Sequence, residues 1–252
     1  YGPVVKQWAV SNGGWERVKK LDVGFDMELF KELSITFDFF YDKRYNILLH
    51  REAWPQSLGF HEAKPWSNKG KVDNWGYEVS TNWRKQLTKD LTVDFRGTFT
   101  YTQNKYIDLD EPIYPYVWQT ATGKPLNRRN GYIAEGLFQS QEEIDNSPTQ
   151  NLGSKPMPGD IKYRDVDGNG MIDSKDQVMI SKTAGMPRIQ YGFGVNIDWK
   201  RFNFGVFFNG SAMRDIDING LHPFGQNDYN AMKFVAENRW TEANPNPNAE
   251  YP

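Results

Sequence analysis

The chain has 252 residues, a net charge of −2 and no cysteine. That balance offers no basic field for nucleic acid, and without thiols neither a disulfide framework nor a thiolate metal site forms. No apolar run approaches the roughly 20 residues of a membrane helix. However, 15% of the residues are aromatic, and strands that cross a membrane need only about 9–11 residues, half of them facing a polar interior.

Six segments alternate apolar and polar side chains with a period of two, the repeat of a strand whose faces meet different surroundings. The first sets Leu21, Val23, Phe25, Met27 and Leu29 against Asp22, Gly24, Asp26 and Glu28. After the short link Phe30–Glu32, the second sets Leu33, Ile35, Phe37, Phe39 and Tyr41 against Ser34, Thr36, Asp38 and Asp42. A long polar connection is expected from about Lys43 to Lys71. The third strand sets Trp75, Tyr77, Val79 and Trp83 against Gly76, Glu78, Ser80 and Asn82. The turn Lys85–Asp90 leads to the fourth, with Leu91, Val93, Phe95, Phe99 and Tyr101 against Thr92, Asp94, Arg96, Thr98 and Thr100. A very long connection, Gln103–Pro187, separates it from the fifth. There Ile189, Tyr191, Phe193, Val195, Ile197 and Trp199 oppose Gln190, Gly192, Gly194, Asn196 and Asp198. Lys200-Arg201 turns into the sixth, where Phe202, Phe204, Val206 and Phe208 oppose Asn203, Gly205 and Asn209.

Connections therefore alternate short and long. Outer-membrane barrels have short periplasmic turns and long extracellular loops, so the pattern predicts an all-β, antiparallel, up-and-down transmembrane β-barrel. The competing fold is a soluble sandwich with one wet face. A connection as long as Gln103–Pro187 is out of scale for that fold, whose structureless loops seldom pass about 12–15 residues. Known membrane barrels start at about 8 strands. Six strands with two open edges lead us to expect that residues 1–252 are an incomplete barrel domain within a longer polypeptide.

The sharpest local motif lies inside the 103–187 connection. Asp165, Asp167, Asn169, Asp173 and Asp176 fall at positions 1, 3, 5, 9 and 12 of an EF-hand-like loop, residues 165–176. Met171 would offer its backbone carbonyl at position 7, and Gly170 occupies the turn position 6. Calcium, a hard ion, takes 6–8 oxygens, which suits such a coil. Two features depart from an EF-hand: position 12 is Asp rather than Glu, and the preceding Pro158–Tyr163 reads as extended rather than helical. The alternative is an ion-free turn in which Asp and Asn side chains bond local backbone.

Other chemistry is weakly signalled. His50, His61 and His222 stand apart, with no metal-ligand spacing. Glu142 and Glu143 read as the first turn of a short helix capped by Ser140, with Glu143 completing a capping box. Asp108 and Asp110 read as solvated loop charges. Trp54, Trp66, Tyr114, Tyr116 and Trp118 would either stack on sugar rings or pack the loops that hold them.

Several segments, in order, resemble one family. Ser11-Asn-Gly-Gly-Trp15-Glu16 before an alternating strand, Gly131-Tyr-Ile-Ala-Glu-Gly136 through Ile144, and Pro158–Tyr163 with Asp165–Asp176, Pro187 and Tyr191-Gly192 are similar to SusC/RagA-type TonB-dependent transporters of the Bacteroidetes outer membrane. Glu237–Thr241 and Asn244–Pro252 continue the likeness. The resemblance implies a 22-stranded barrel around a plug that lies outside this chain. It further implies drive from the TonB complex, a SusD-like surface lipoprotein as partner, and oligosaccharides or peptides as cargo. Two rivals come from other classes. One is a soluble, calcium-stabilised β-sheet module that binds carbohydrate; the other is an outer-membrane enzyme using Glu142 or Asp110.

Overall fold

The structure is a computed structural model that describes residues 8, 10, 13–54, 57, 64–216 and 232–252. His61, His222 and the Ser11-Asn12 start of the first motif lie outside the described residues. The chain divides into two compact units, 1–114 with 120–127 and 183–215, and 115–119 with 128–182 and 216–252.

The first unit is a six-stranded sheet. Numbered along the chain, its strands are β1 (Arg17–Leu29), β2 (Leu33–His50), β3 (Trp66–Thr88), β4 (Leu91–Asp108), β11 (Ile189–Trp199) and β12 (Phe202–Ala212). They lie in the order β1-β2-β3-β4-β11-β12, each antiparallel to its neighbour. The residues of one face stand opposite one another along every ladder. One such row runs Phe25, Phe37, Val79, Phe99, Tyr191 and Gly210; the next runs Met27, Ile35, Thr81, Gly97, Phe193 and Phe208. Rings stack from strand to strand across this face: Phe25 on Phe37 at 5.5 Å, Tyr77 on Phe99 at 6.0 Å, Phe193 on Phe208 at 5.2 Å. Cross-strand aromatic pairs of this kind stabilise a sheet by roughly 0.2–1 kcal/mol each.

This apolar face is not a buried core. Phe25 is 54% exposed, Phe193 43% and Phe208 54%. Among the described residues the unit has only this one sheet, whereas a sandwich would bury such a face under a second layer. Trp83 and Trp75 share the face, eight residues apart on β3, about 27 Å along a strand at roughly 3.4 Å per residue. With the usual barrel tilt of about 35–45°, that separation projects to roughly 20 Å, close to the height of a lipid-facing band flanked by aromatic girdles.

Phe30–Glu32 and Lys200-Arg201 turn where the sequence puts them, whereas the expected turn Lys85–Asp90 shrinks to Lys89-Asp90 because β3 continues to Thr88. Phe30 and Lys31 both take φ of 57°, and Glu32 N–H donates to the Leu29 carbonyl at 3.1 Å. Two left-handed residues give a primed turn, whose twist matches the strands it joins. The Glu32 carboxylate accepts from Lys85 Nζ at 3.0 Å, tying this turn to the end of β3.

The far ends differ from the sequence expectation. β2 continues to His50, β3 begins at Trp66 and β4 runs to Asp108, so the expected loops Lys43–Lys71 and Gln103–Pro187 surrender residues to strands. Alternation of apolar and polar residues fades once a strand leaves lipid, but backbone pairing continues. The ladder absorbs the change at a bulge between Arg44 and Ile47, where Asn46 has φ of 59°.

The second unit contains the small strands β5 (Arg129–Gly131), β6 (Ala134–Leu137), β7 (Thr149–Gln150), β8 (Ile161–Tyr163), β9 (Met171–Ile172) and β10 (Val178–Ser181), with helices α1 (Gln141–Asp145) and α2 (Lys233–Glu237). Pairs β5–β10 and β6–β8 are antiparallel; β7–β9 is parallel. Leu137, Phe138, Ile172 and Val235 are buried. Gly159 has φ of +98°, and a Cβ there would lie 2.5 Å from the Trp240 ring, whose Nε1 donates to Gln139 Oε1 at 3.1 Å. The expected cap on α1 forms, with Ser140 Oγ accepting from Glu143 N–H at 3.1 Å. The reciprocal bond shifts by one residue, since the Glu143 carboxylate accepts from Gln139 N–H at 2.8 Å.

The two faces predict opposite responses to added charge. Phe25→Arg, Phe37→Arg or Phe193→Arg should cost assembly about 2–4 kcal/mol at mid-bilayer depth, read as loss of heat-modifiable migration after outer-membrane extraction. Gln190→Lys, on the polar face, should assemble normally; equal assembly of all four variants would refute the lipid contact.

Candidate functional site: the polar wall and the acidic loop

On the polar face of the sheet, the rows read Glu28, Ser34, Asn82, Arg96, Gly194, Phe207 and, one step along, Asp26, Thr36, Ser80, Thr98, Gly192, Asn209. Asp22, Asp38, Glu78 and Asp94 share this face. Such a surface is hydrated and hydrogen-bonding along its length. Two aromatics interrupt it. Phe40 stands opposite Gly76, where a Cβ would lie 2.5 Å from the ring. Phe207 lies over Gly192 and Gly194, where a Cβ would come within 3.0 and 2.7 Å of it. A ring laid over a strand glycine restores packing that the glycine lacks. Sequence reasoning passed over both rings; the available signal was an aromatic in the polar register of its strand, opposite a glycine.

At the long-loop end of the sheet, Asp110 differs from expectation. It is not a solvated charge: its side chain is 10% exposed and accepts from Arg51 Nε at 2.7 Å and Lys69 Nζ at 3.1 Å. The Arg51 guanidinium holds its carboxyl below the ordinary range, against the opposing effect of burial. The Asp110 carbonyl accepts from Ala53 N–H at 2.8 Å, so one residue ties β4 to the chain that leaves β2. Asp108 pairs with Lys71 at 3.3 Å. His50 stacks against Trp66 at 3.7 Å.

In the second unit, the 165–176 loop brings three of its candidate ligands together. Oxygens of Asp165, Asp167 and Asp176 lie within 4.8 Å of one another. Asp176 is fully buried; it accepts from Val166 N–H at 2.8 Å, Asp167 N–H at 3.3 Å and Asp173 N–H at 2.8 Å. Asp165 accepts from Gly168 N–H at 2.7 Å and Gly170 N–H at 2.8 Å. These backbone donors, Gly170 foremost, lower its pKa. Interaction with the Asp167 carboxylate raises the Tyr116 phenol pKa; the Tyr116 ring stacks on Trp118 at 4.5 Å, and Trp118 Nε1 donates to the Lys175 carbonyl at 2.8 Å. These two aromatics therefore pack the loop that holds them.

Asp173 stands outside the three-carboxylate group. It caps the 3-10 turn Ser174–Asp176, accepting from Lys175 N–H at 2.7 Å. Asn169 Oδ1 accepts from Met171 N–H at 2.7 Å. The Gly170 and Ile172 carbonyls serve the β7 side, so the Met171 carbonyl lies on the opposite edge of β9, with its own N–H.

A single sheet with a lipid-type face, a hydrated face, short turns at one end and long connections at the other defines the wall of an outer-membrane β-barrel. Residues 4–246 match the TonB dependent receptor-like, beta-barrel family model, and the chain belongs to that family. It is 28% identical over 265 residues to TonB-dependent receptor P3 of Formosa agariphila, covering 100% of this chain and 26% of the relative. To TonB-dependent receptor SusC of Bacteroides thetaiotaomicron it is 27% identical over 205 residues, covering 75% of this chain and 19% of that one. The structure of the RagAB peptide transporter superposes with a TM-score of 0.61 at 18% identity, over 94% of this chain and 26% of the other. The chain thus spans about a quarter of the length of the first curated relatives it matches. These relatives bear the names of receptors and a transporter.

The carboxylates set a pH window. Asp110, Glu143 and Asp165 are each held below ordinary values. Their stabilisation is complete above the unfolded values of about 4 and is lost as pH falls through the lower folded values. Hydrogen exchange over residues 149–176, corrected for intrinsic rate, should be slow at pH 5 and accelerate below about pH 4; a flat profile would contradict this. Asp176→Ala strands three inward N–H donors and should destabilise the second unit by about 3 kcal/mol, seen as faster proteolytic cleavage within the same segment.

Proposed function

We propose that this chain is part of the wall of an energised outer-membrane importer that takes up oligosaccharides or peptides and works with a SusD-like surface lipoprotein. The observation that carries the reading is the division of the sheet into an apolar face and a predominantly polar face, in a member of the TonB-dependent receptor family. The apolar face seals against lipid. The polar face offers a permeating solute hydrogen bonds in place of water, so passage is not opposed by desolvation. Energy from TonB would act on a plug domain outside these residues. Membership alongside SusC, and the likeness to the RagAB peptide transporter, support a glycan or peptide cargo and a lipoprotein partner.

We also propose that the 165–176 loop binds calcium, stapling the second unit. Asp165, Asp167 and Asp176 would be its carboxylate ligands, Asn169 and Met171 would add neutral oxygens, and Asp173 would stay a cap or act through water. Each carboxylate has about four lone-pair sites, more than the N–H donors each receives. The donor set is all oxygen, as calcium prefers. The bound ion would supply charge neutralisation and rigidity.

Uptake by cells expressing the full-length protein should disappear when TonB is deleted or the proton gradient collapsed; uptake indifferent to both would refute import. Calorimetric titration of calcium should give binding heat that Asp165→Ala abolishes; identical traces would refute the metal site.

A further inference from the structure

β4 and β12 are not neighbours. β11 runs between them, so they lie about 10 Å apart, and an ordinary side chain on β11 would stand between two residues of the same row. In one row, Arg96 of β4, Gly194 of β11 and Phe207 of β12 stand side by side. Gly194 has no side chain, and Arg96 and Phe207 close over it: the guanidinium carbon is 4.9 Å from the Phe207 ring centre. A Cβ on Gly194 would lie 2.7 Å from that ring and 3.5 Å from Arg96 Nε. The ring extends over Gly192 as well, whose missing Cβ leaves room beside Thr98 Oγ1.

This arrangement prepares a cation. A guanidinium resting on a ring face is attracted by the ring's quadrupole and held in one plane. Its N–H groups remain a strong fork for carboxylates. Among the described residues, no carboxylate comes within ion-pair distance of Arg96; the cross-strand neighbour of its own strand's Asp94 is Arg84 instead. Around Arg96 the wall is concave, lined by Ser34, Thr36, Ser80, Asn82 and Thr98, with the carboxylates of Asp26, Glu28, Glu78 and Asp94 further out on the same face. The Ser34 and Thr36 hydroxyls already donate to the Asn82 carbonyl and to Asp26 Oδ1; the Ser80 and Thr98 hydroxyls and the Asn82 amide can donate to the same oxygens the guanidinium would grip.

We propose that this concavity is a carboxylate-binding station on the interior wall, with Arg96 as the anchor and Phe207 as the shelf that aims it. Its ligand is a permeating solute bearing a carboxylate, either a peptide C-terminus or a sugar acid. The inference rests on the reading of the chain as an importer wall, and it adds a preference among solutes.

The test uses the full-length protein, purified in detergent, with two matched pairs of probes: tri-alanine and its C-terminal amide, and trigalacturonate and its methyl ester. In at least one pair the acid should bind on the order of tenfold tighter or more, the range expected for a charge-assisted hydrogen bond. The pair that discriminates identifies the source of the carboxylate. Arg96→Gln should erase the difference and Arg96→Lys should keep part of it. Should Arg96→Gln fail to assemble, Phe207→Leu, which keeps the charge but removes the shelf, should weaken the acid severalfold and leave the neutral probe unchanged. Equal binding within both pairs, a preference that survives Arg96→Gln, or an acid affinity unmoved by Phe207→Leu would overturn the proposal. Uptake that ignores TonB would refute the importer reading instead and leave the binding result intact.

Discussion

A backbone placed in hydrocarbon has no water to turn to, so every N–H and C=O must find a partner in the protein. That constraint organises this chain. It explains why the six strands form one antiparallel sheet, each paired with the next, and why Phe30 and Lys31 accept left-handed conformations to keep the first hairpin tight. Once the strands are paired, the pleat does the rest. Alternate side chains meet two different solvents, and a shift of one residue in any register would send Phe25 or Phe193 to the wrong side.

The same ladder makes the polar wall precise. Side chains on a sheet stand on a grid set by the strand spacing, and a glycine is an empty square on that grid. Gly194 and Gly76 are such squares, and in each case a ring occupies the space. At Gly194 the vacancy also lets a cation from beyond it share the ring. A strand glycine, usually a weakness in a sheet, here permits contact between residues that pairing alone would keep apart.

The second unit meets a different problem. Among its described residues few apolar side chains are buried, Phe138, Ile172 and Val235 foremost, and much irregular backbone has polar groups that need partners. Buried Asp176 answers part of that need by accepting three backbone N–H groups. A carboxylate in this position does locally what a helix or ladder does elsewhere. The same property makes the acidic loop compatible with both an ion and a bare turn, because the oxygens that would ligate calcium also order the chain.

Much of the architecture was legible in one dimension. Period-two alternation located all six strands and the three short turns between them, because lipid and water impose opposite demands on neighbouring residues. The EF-hand-like spacing singled out Asp165, Asp167, Asn169, Met171, Asp173 and Asp176; three of its carboxylates, Asp165, Asp167 and Asp176, converge by the local geometry of a Gly-containing turn, while Asp173 is drawn off as a cap. What the sequence hid depends on residues far apart in the chain. The polar ends of β2, β3 and β4 carry no alternation and are strands only because their neighbours are. Asp110 looked solvated until folding brought Arg51 and Lys69 to it. Arg96 and Phe207, separated by more than a hundred residues, meet only because sheet order places β11 between their strands with a glycine at the crossing. Local chemistry thus determined which face each residue would take; strand order, a property of the whole sheet, decided which residues would touch.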